Sequence, residues 1–489
     1  MLSMSLKLNK REFEYDIYSL IRAFYPGSEI KIWYEGEEEP AGEYSYRYEV
    51  EYGDDSITFT VAKGEEEVKS KTTRIPEGEE RKERKNHVKN LVYRTLVSIT
   101  GIELPWGNLT GIRPTKIPMH MLEEGKSNVE IAQFMRDTYG TSPEKTALAI
   151  TIANRERAIL KEIDYEKGYS LYVGIPFCPS ICLYCSFGSH VLKAWSHMVE
   201  PYLDALCKEL TFIADQMKGR PLDTIYIGGG TPTTLEPDQM RRLLCHIQNE
   251  FPMEGLKEFT VEAGRPDTIT REKLAVLREF PVSRISINPQ TMNQETLDLI
   301  GRKHTVEDVT AKFGMARELG FDNINMDLII GLPGEHREHV AHTLEQMKIL
   351  DPDSLTVHSL SLKRATRLNL FKDQYEEISF ENSQEIMQMT EACSREMGMG
   401  PYYLYRQKNI AGNFENVGYA KLDKAGIYNI LIMEEKQTIM AAGAGASTKF
   451  VFQHGERIER VENVKDLKNY VERIDEMLER KGVGIESFL

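Results

Sequence analysis

The chain has 489 residues, 41% hydrophobic and 28% charged, which is near the globular average and long enough for two or three domains with a full core. A net charge of −15 argues against a nucleic-acid footprint, which needs clustered Lys and Arg to release counterions. Nowhere do about 18 consecutive apolar residues occur, and Met1-Leu2-Ser3-Met4 is not a basic region followed by an apolar block. The expectation is a cytoplasmic protein with neither a membrane nor a nucleic acid as partner.

Residues 1–165 have their own texture. Tyr44, Tyr46, Tyr48, Val50 and Tyr52 alternate with polar residues, Gly53-Asp54-Asp55 supplies a turn, and Ile57, Phe59 and Val61 resume the alternation, which predicts a β-hairpin. The basic run Arg81 to Lys89 reads as the solvated start of an amphipathic helix carrying Val88, Leu91, Val92, Leu96 and Ile99. Ser142 and Pro143 open another helix as cap and first turn. This segment is expected to be an α+β domain without evident catalytic residues.

From 166 to 379 short apolar runs alternate with helical patterns. The runs are Leu171 to Ile175, Thr224 to Ile227, Phe259 to Val261, Arg284 to Ile287, Ile324 to Ile330 and Ser354 to Val357. Helical patterns lie near 196–217, 237–249, 270–279, 305–319 and 335–349. Such alternation predicts α/β architecture, a parallel sheet in an open, partial (β/α)6 barrel. Residues 380–489 read as a C-terminal α/β lid or substrate domain, with a helix over Ser383 to Met397, strands near Tyr402 to Arg406 and Tyr428 to Met433, and a last helix over Val464 to Lys481.

Three of six cysteines, Cys178, Cys182 and Cys185, fall in a C-x3-C-x2-C run directly after the first strand of the barrel. This is a poor disulfide layout and a good metal layout. Three thiolates on one loop can each hold a different iron of a 4Fe–4S cube, leaving the fourth iron without a protein ligand. A structural zinc with His190 as fourth ligand, and chance clustering of thiols, are the alternatives. Cys207, Cys245 and Cys393 read as small buried hydrophobes.

Ile227-Gly228-Gly229-Gly230-Thr231-Pro232-Thr233 closes the second strand, and its glycines would let backbone N–H and C=O groups approach a ligand. Glu262 ends the third strand, Gln290 follows the fourth, Arg302 comes next, and Asp327 lies on the fifth before Gly331-Leu332-Pro333-Gly334. Acids and amides at the carboxyl ends of parallel strands suit ribose hydroxyls and an adenine edge.

With these motifs the chain resembles the radical S-adenosylmethionine (SAM) superfamily, and over about residues 170 to 450 its oxygen-independent coproporphyrinogen III oxidase-like family. The likeness rests on Tyr172 six positions before Cys178, the Gly228 to Thr233 loop, Glu262 with Pro266, Gln290, and the run Asn325 to Gly334. Trp106 to Lys116, Tyr402 to Asn409 and Asn416 to Ala420 resemble the longer HemZ-type branch. The resemblance implies a radical SAM barrel in which an electron from the cluster cleaves SAM to a 5′-deoxyadenosyl radical. It also implies a low-potential electron donor such as flavodoxin or ferredoxin.

By the same likeness Tyr172, Gly230, Thr231, Glu262, Gln290 and Asp327 contact the SAM on the cluster, while Gly229 and Arg302 match positions used for a second SAM molecule. The implied reaction is oxidative decarboxylation of two propionates of coproporphyrinogen III to vinyl groups, in heme biosynthesis. Four propionates call for cations, and Arg302, Lys303, Arg364, Arg367, Arg406 and Lys408 are available, Arg406 and Lys408 being the substrate-contact candidates. The tyrosine-rich run from Tyr402 reads equally as a half-buried strand. Gly174 stands where the namesake enzymes carry histidine, and Ile287-Asn288-Pro289 replaces a glycine-containing approach to Gln290. Other readings are radical chemistry on another tetrapyrrole, by methylation or heme ring opening, and a heme-carrying chaperone, for which the axial candidates are few.

Overall fold

A computed structural model describes residues 2–488 apart from 65, 112, 187, 362–365, 367–380 and 408–413. The chain forms two compact units, the first built on Met1–Ala153 and the second on most residues from Asn154 onward.

In the first unit the strands β1 (Ser3–Leu8), β2 (Glu29–Tyr34), β3 (Tyr46–Tyr52), β4 (Ser56–Lys63) and β5 (Glu66–Arg74) form a sheet in the order β2-β1-β3-β4-β5. The expected hairpin is β3–β4, with Tyr48 opposite Val61 and Val50 opposite Phe59. Alternation puts Tyr48, Val50, Tyr52, Ile57, Phe59 and Val61 on one buried face. The helices Glu14–Phe24 and Arg81–Thr100 supply Ile17, Leu20, Ile21, Val88, Val92 and Leu96 to the same core. The basic run is thus the start of the second helix, exposed at Arg81 to Glu83, but Lys89 is buried and donates to Thr110 Oγ1 at 3.0 Å. Pro143 opens the helix Pro143–Leu160, with Ser142 Oγ accepting from the Lys145 amide at 3.2 Å.

The second unit carries β6 (Tyr169–Ile175), β7 (Phe177–Cys178), β8 (His190–Val191), β9 (Leu222–Gly229), β10 (Glu258–Gly264), β11 (Arg284–Ile287), β12 (Ile324–Ile330) and β13 (Ser354–Ser359). It continues through β14 (Gly400–Tyr405), β15 (Asn416–Ala420), β16 (Thr438–Ala442), β17 (Ser447–Phe452) and β18 (Arg457–Glu462). Apart from the short pair β7–β8, these make one sheet ordered β14-β15-β13-β12-β11-β10-β9-β6-β16-β17-β18. Its centre is the expected six-strand parallel array, β6 and β9 to β13, joined by helices. Near-continuous apolar runs fit strands covered on both faces.

The described residues after 380, apart from Phe414, belong to the same compact unit as these strands. β15 extends one edge antiparallel to β13 and β14 pairs antiparallel to β15 beyond it, while β16 to β18 extend the other edge, with β16 parallel to β6. The helix expected near Ser383 is Gln384–Glu396. The strand expected over Tyr428 to Met433 is instead the helix Ile427–Glu434. A short apolar run does not distinguish strand from buried helix, and here the buried Glu258 carboxylate accepts from the Ile427 amide at the helix start. The last helical segment is two helices, Leu467–Glu472 and Ile474–Phe488. Among the described residues, no helix is long and apolar enough to cross a membrane.

One buried network fastens the β16 edge. Lys481 Nζ lies 3.1 Å from Glu209 Oε1 and donates to Ala441 O at 2.6 Å and Thr448 Oγ1 at 3.0 Å. Glu209 also accepts from the Gly443 amide, Asn463 Nδ2 and the Tyr470 hydroxyl. Both charged side chains are fully buried, so removing one strands the other in low dielectric. Lys481→Met is expected to destabilise the protein by about 3 kcal/mol, read as a lower melting temperature; an unchanged melting temperature would contradict this account.

Candidate active site

Because β6 and β9 to β13 run parallel, their carboxyl ends share one rim, where the cysteine loop, the glycine loop and the strand-end acids occur. Cys178 ends β7, Cys182 is buried, and Cys185 is half-buried; none of the six cysteines is in a disulfide. Cys393 is buried as expected, but Cys207 is only partly so and Cys245 is exposed, since it lies on the outer face of the helix Pro237–Glu250.

The cysteine loop is pinned by its neighbours. Leu183 N donates to Ile300 O at 3.0 Å, Ser180 Oγ to Gly301 O at 3.2 Å, and Cys185 N to Cys182 O at 3.2 Å. Arg265, buried just after β10, donates to Ser180 O and Oγ at 3.2 and 2.8 Å and reaches Cys182 Sγ at 3.7 Å. Asp267 grips the same guanidinium through two bonds of 3.0 and 2.8 Å. Arg302 is buried as well, donating to Asn288 O at 2.6 Å and the Tyr184 hydroxyl at 3.1 Å. Burial works against its charge, but Tyr184 and Cys182 more than compensate and hold its pKa above the ordinary arginine value.

The glycine loop packs onto the cysteine strand. The Gly230 amide donates to Ile175 O at 2.7 Å and the Thr231 amide to Phe177 O at 2.8 Å. These amides are therefore engaged by backbone and not bare, as the sequence had suggested. The glycines serve this close approach: Gly229 has φ +105°, and a Cβ on Gly230 would stand 2.5 Å from Phe177 O. Thr231 Oγ1 reaches Cys178 Sγ at 3.6 Å.

Inside the rim, Tyr172 stacks on Tyr226 and Tyr428 with centroids 6.3 and 6.4 Å away, and the Tyr226 hydroxyl donates to Glu262. Burial, aided by the charge of Asp327, pushes the Glu262 carboxyl up to about 7, against the pull of Tyr226, Arg284 and His358. Asp327 Oδ1 accepts from Asn325 Nδ2 at 2.7 Å. Gln290 sits at φ 70°, a region a non-glycine residue adopts only when held there. Its amide donates to Asp327 O at 3.0 Å, and its carbonyl accepts from the Ile329 amide at 2.9 Å.

All eight residues expected around the cofactor thus lie along this rim and lumen. Lys303 is exposed. Arg406 is buried, burial lowering its pKa to about 10 against the nearby charge of Glu415. Arg364, Arg367 and Lys408 lie outside the described residues. Sequence reasoning missed Arg265, Tyr226, Arg284, His358 and Tyr428, whose partners are distant in the chain.

These residues fit an iron–sulfur cube. Its thiolates carry a net negative charge, and two buried guanidinia face it at Cys182. Arg302 Nε and both ring nitrogens of the neighbouring His304 are buried without a hydrogen-bond partner. Among the described residues no three His, Cys, Asp or Glu converge tightly enough for a single ion.

Residues 172–347 match the model of the Radical SAM superfamily. Over 474 residues the chain is 40% identical to the oxygen-independent coproporphyrinogen-III oxidase-like protein HemZ of Bacillus subtilis, covering 95% of this chain and 94% of that one. It is 40% identical over 198 residues to the heme chaperone HemW of Bacillus subtilis, covering 40% of this chain and 52% of that one. The solved coproporphyrinogen III oxidase HemN of Escherichia coli superposes with a TM-score of 0.53 at 27% identity, over 66% of this chain and 73% of that one. The chain therefore belongs to the radical SAM superfamily, within its oxygen-independent coproporphyrinogen III oxidase-like family, and is a radical SAM oxidoreductase.

Proposed function

We propose that this protein converts coproporphyrinogen III to protoporphyrinogen IX without oxygen, turning two propionates into vinyl groups. The observation that carries this reading is the 40% identity, extending over 95% of the chain, to a coproporphyrinogen-III oxidase-like protein. Cys178, Cys182 and Cys185 would hold the cluster, and Tyr172, Gly230, Thr231, Glu262, Gln290 and Asp327 would line the SAM site. Gly229 and Arg302 would serve a second molecule of it. When bound, the cluster and SAM supply a radical able to take one hydrogen atom from the carbon β to the pyrrole ring.

The chain's own residues then do the orienting. Arg265 and Arg302 offset the charge of the thiolates, and the glycine loop holds β7 in place. The stack of Tyr172, Tyr226 and Tyr428 covers one side of the lumen with ring faces, which favours a dry surrounding for a reactive species. Loss of carbon dioxide from each propionate leaves one electron for an external acceptor, and a low-potential protein such as flavodoxin or ferredoxin would reduce the cluster. The half-length similarity to HemW supports heme binding without turnover as the other reading.

Glu262 gives the site a pH signature. Its folded value of about 7 lies above the ordinary 4.5, so between these values the folded chain holds more protons than the unfolded one. Stability contributed by Glu262 is accordingly lost as pH rises from about 4.5 through about 7. Glu262→Gln, neutral throughout, is expected to gain melting temperature relative to the parent between about pH 5 and about pH 8. A difference that stays constant with pH would show the carboxyl is not perturbed.

Anaerobically reconstituted protein, given a strong reductant, an electron acceptor, SAM and coproporphyrinogen III, is expected to yield 5′-deoxyadenosine and a product lighter by two carbon dioxides and four hydrogens. Cys178→Ala, Cys182→Ala and Cys185→Ala are each expected to abolish both, measured by liquid chromatography with mass detection. Deoxyadenosine without the vinyl product would keep the radical chemistry and remove the substrate. Tight heme binding with neither product would favour the carrier reading.

A further inference from the structure

β14 is antiparallel to β15, which is antiparallel to β13, so β14 runs in the direction of the barrel strands and its carboxyl end reaches the same rim. Tyr405 closes that strand. Its hydroxyl lies 3.3 Å from His358 Nδ1, the two rings meeting edge to face with centroids 6.5 Å apart. On the other side of the imidazole, His358 Nε2 lies 3.6 Å from Asp327 Oδ2. Asn325 already pins the opposite carboxylate oxygen, Oδ1, at 2.7 Å. Each oxygen of Asp327 thus has one assigned neighbour, and the imidazole stands between the carboxylate and the phenol.

A carboxylate only accepts, so the arrangement with a hydrogen on Nε2 suits the 3.6 Å approach to Asp327, and Nδ1 then pairs with the Tyr405 hydroxyl on the other side of the ring. A histidine oriented from behind in this way holds a carboxylate in one rotamer, as outer partners hold the first groups around a ligand. Burial alone would raise the Asp327 pKa, but His358, Asn325 and Arg284 outweigh it and keep the carboxyl below its ordinary range. Both side chains remain about a quarter exposed, 28% for His358 and 23% for Asp327, so the pair faces the open lumen and is not a core contact.

We propose that His358 is a positioning residue for Asp327 and that Tyr405 fixes the His358 ring, which makes the C-terminal strand β14 part of the cofactor pocket. The inference rests on the reading of Asp327 as a SAM contact. It assigns a task to Tyr405, one of the tyrosines for which a half-buried strand had been an equally good explanation. It also makes SAM affinity depend on a strand outside the six-strand array.

The test is the dissociation constant for SAM of the anaerobically reconstituted full-length protein, measured by equilibrium dialysis of labelled SAM. His358→Phe is expected to weaken binding about tenfold and Tyr405→Phe about threefold. The double variant is expected to bind no more weakly than His358→Phe alone, because the hydroxyl acts only through the imidazole. His358→Gln, which keeps an N–H donor, is expected to recover most of the loss. Melting temperatures control for folding, since a purely structural role would move them and the dissociation constant together. Unchanged affinity in His358→Phe, or full additivity in the double variant, would overturn the relay while leaving the cofactor reading intact. Absence of SAM binding by the parent protein would overturn both.

Discussion

Three cysteine sulfurs crowded onto one eight-residue loop would repel each other once they ligate a cluster as thiolates, and burial already disfavours the charged form of Cys178, so the second unit has to make that loop tolerable. Opposite charge is brought in from elsewhere in the fold. Arg265 follows the third parallel strand and Arg302 lies beyond the fourth, yet both bear on Cys182. Each guanidinium is itself held, Arg265 by Asp267 and Arg302 by a backbone carbonyl and Tyr184, so the positive charge is fixed in place. The glycine loop completes the clamp through two backbone bonds, one to the end of β6 and one to β7, which carries Cys178.

The additions after residue 380 matter to this arrangement as much as the parallel strands do. They extend the sheet at both edges, and the helix Ile427–Glu434 brings Tyr428 onto Tyr172 and Tyr226 in the lumen. One edge is fastened by the buried Lys481–Glu209 pair, and the other carries Tyr405 to the rim. The outermost strand Arg457–Glu462 is charged and largely exposed, which discourages further pairing at that edge.

Much of this was legible in the chain. The six apolar runs became six parallel strands, and Arg284 to Ile287 and Ile324 to Ile330 match their strands residue for residue. The cysteine spacing and the run Asn325 to Gly334 were local signals, and local signals read well. What failed was non-local. Arg265 touches Ser180 across 85 positions, and nothing in its neighbourhood of the chain announces that contact. Tyr428 to Met433 has the composition of a strand but is helical because Glu258 and the lumen tyrosines receive it. The glycine loop was read as offering amides to a ligand, whereas its amides turn back onto β6 and β7.

The central claim is that Cys178, Cys182 and Cys185 leave one iron of a cube open to SAM. Electron paramagnetic resonance of the reduced, reconstituted protein tests it most directly. The account expects a reduced 4Fe–4S signal that shifts on addition of SAM and is lost when any of the three cysteines is replaced by alanine. A signal that ignores SAM, or one that survives those replacements, would contradict it.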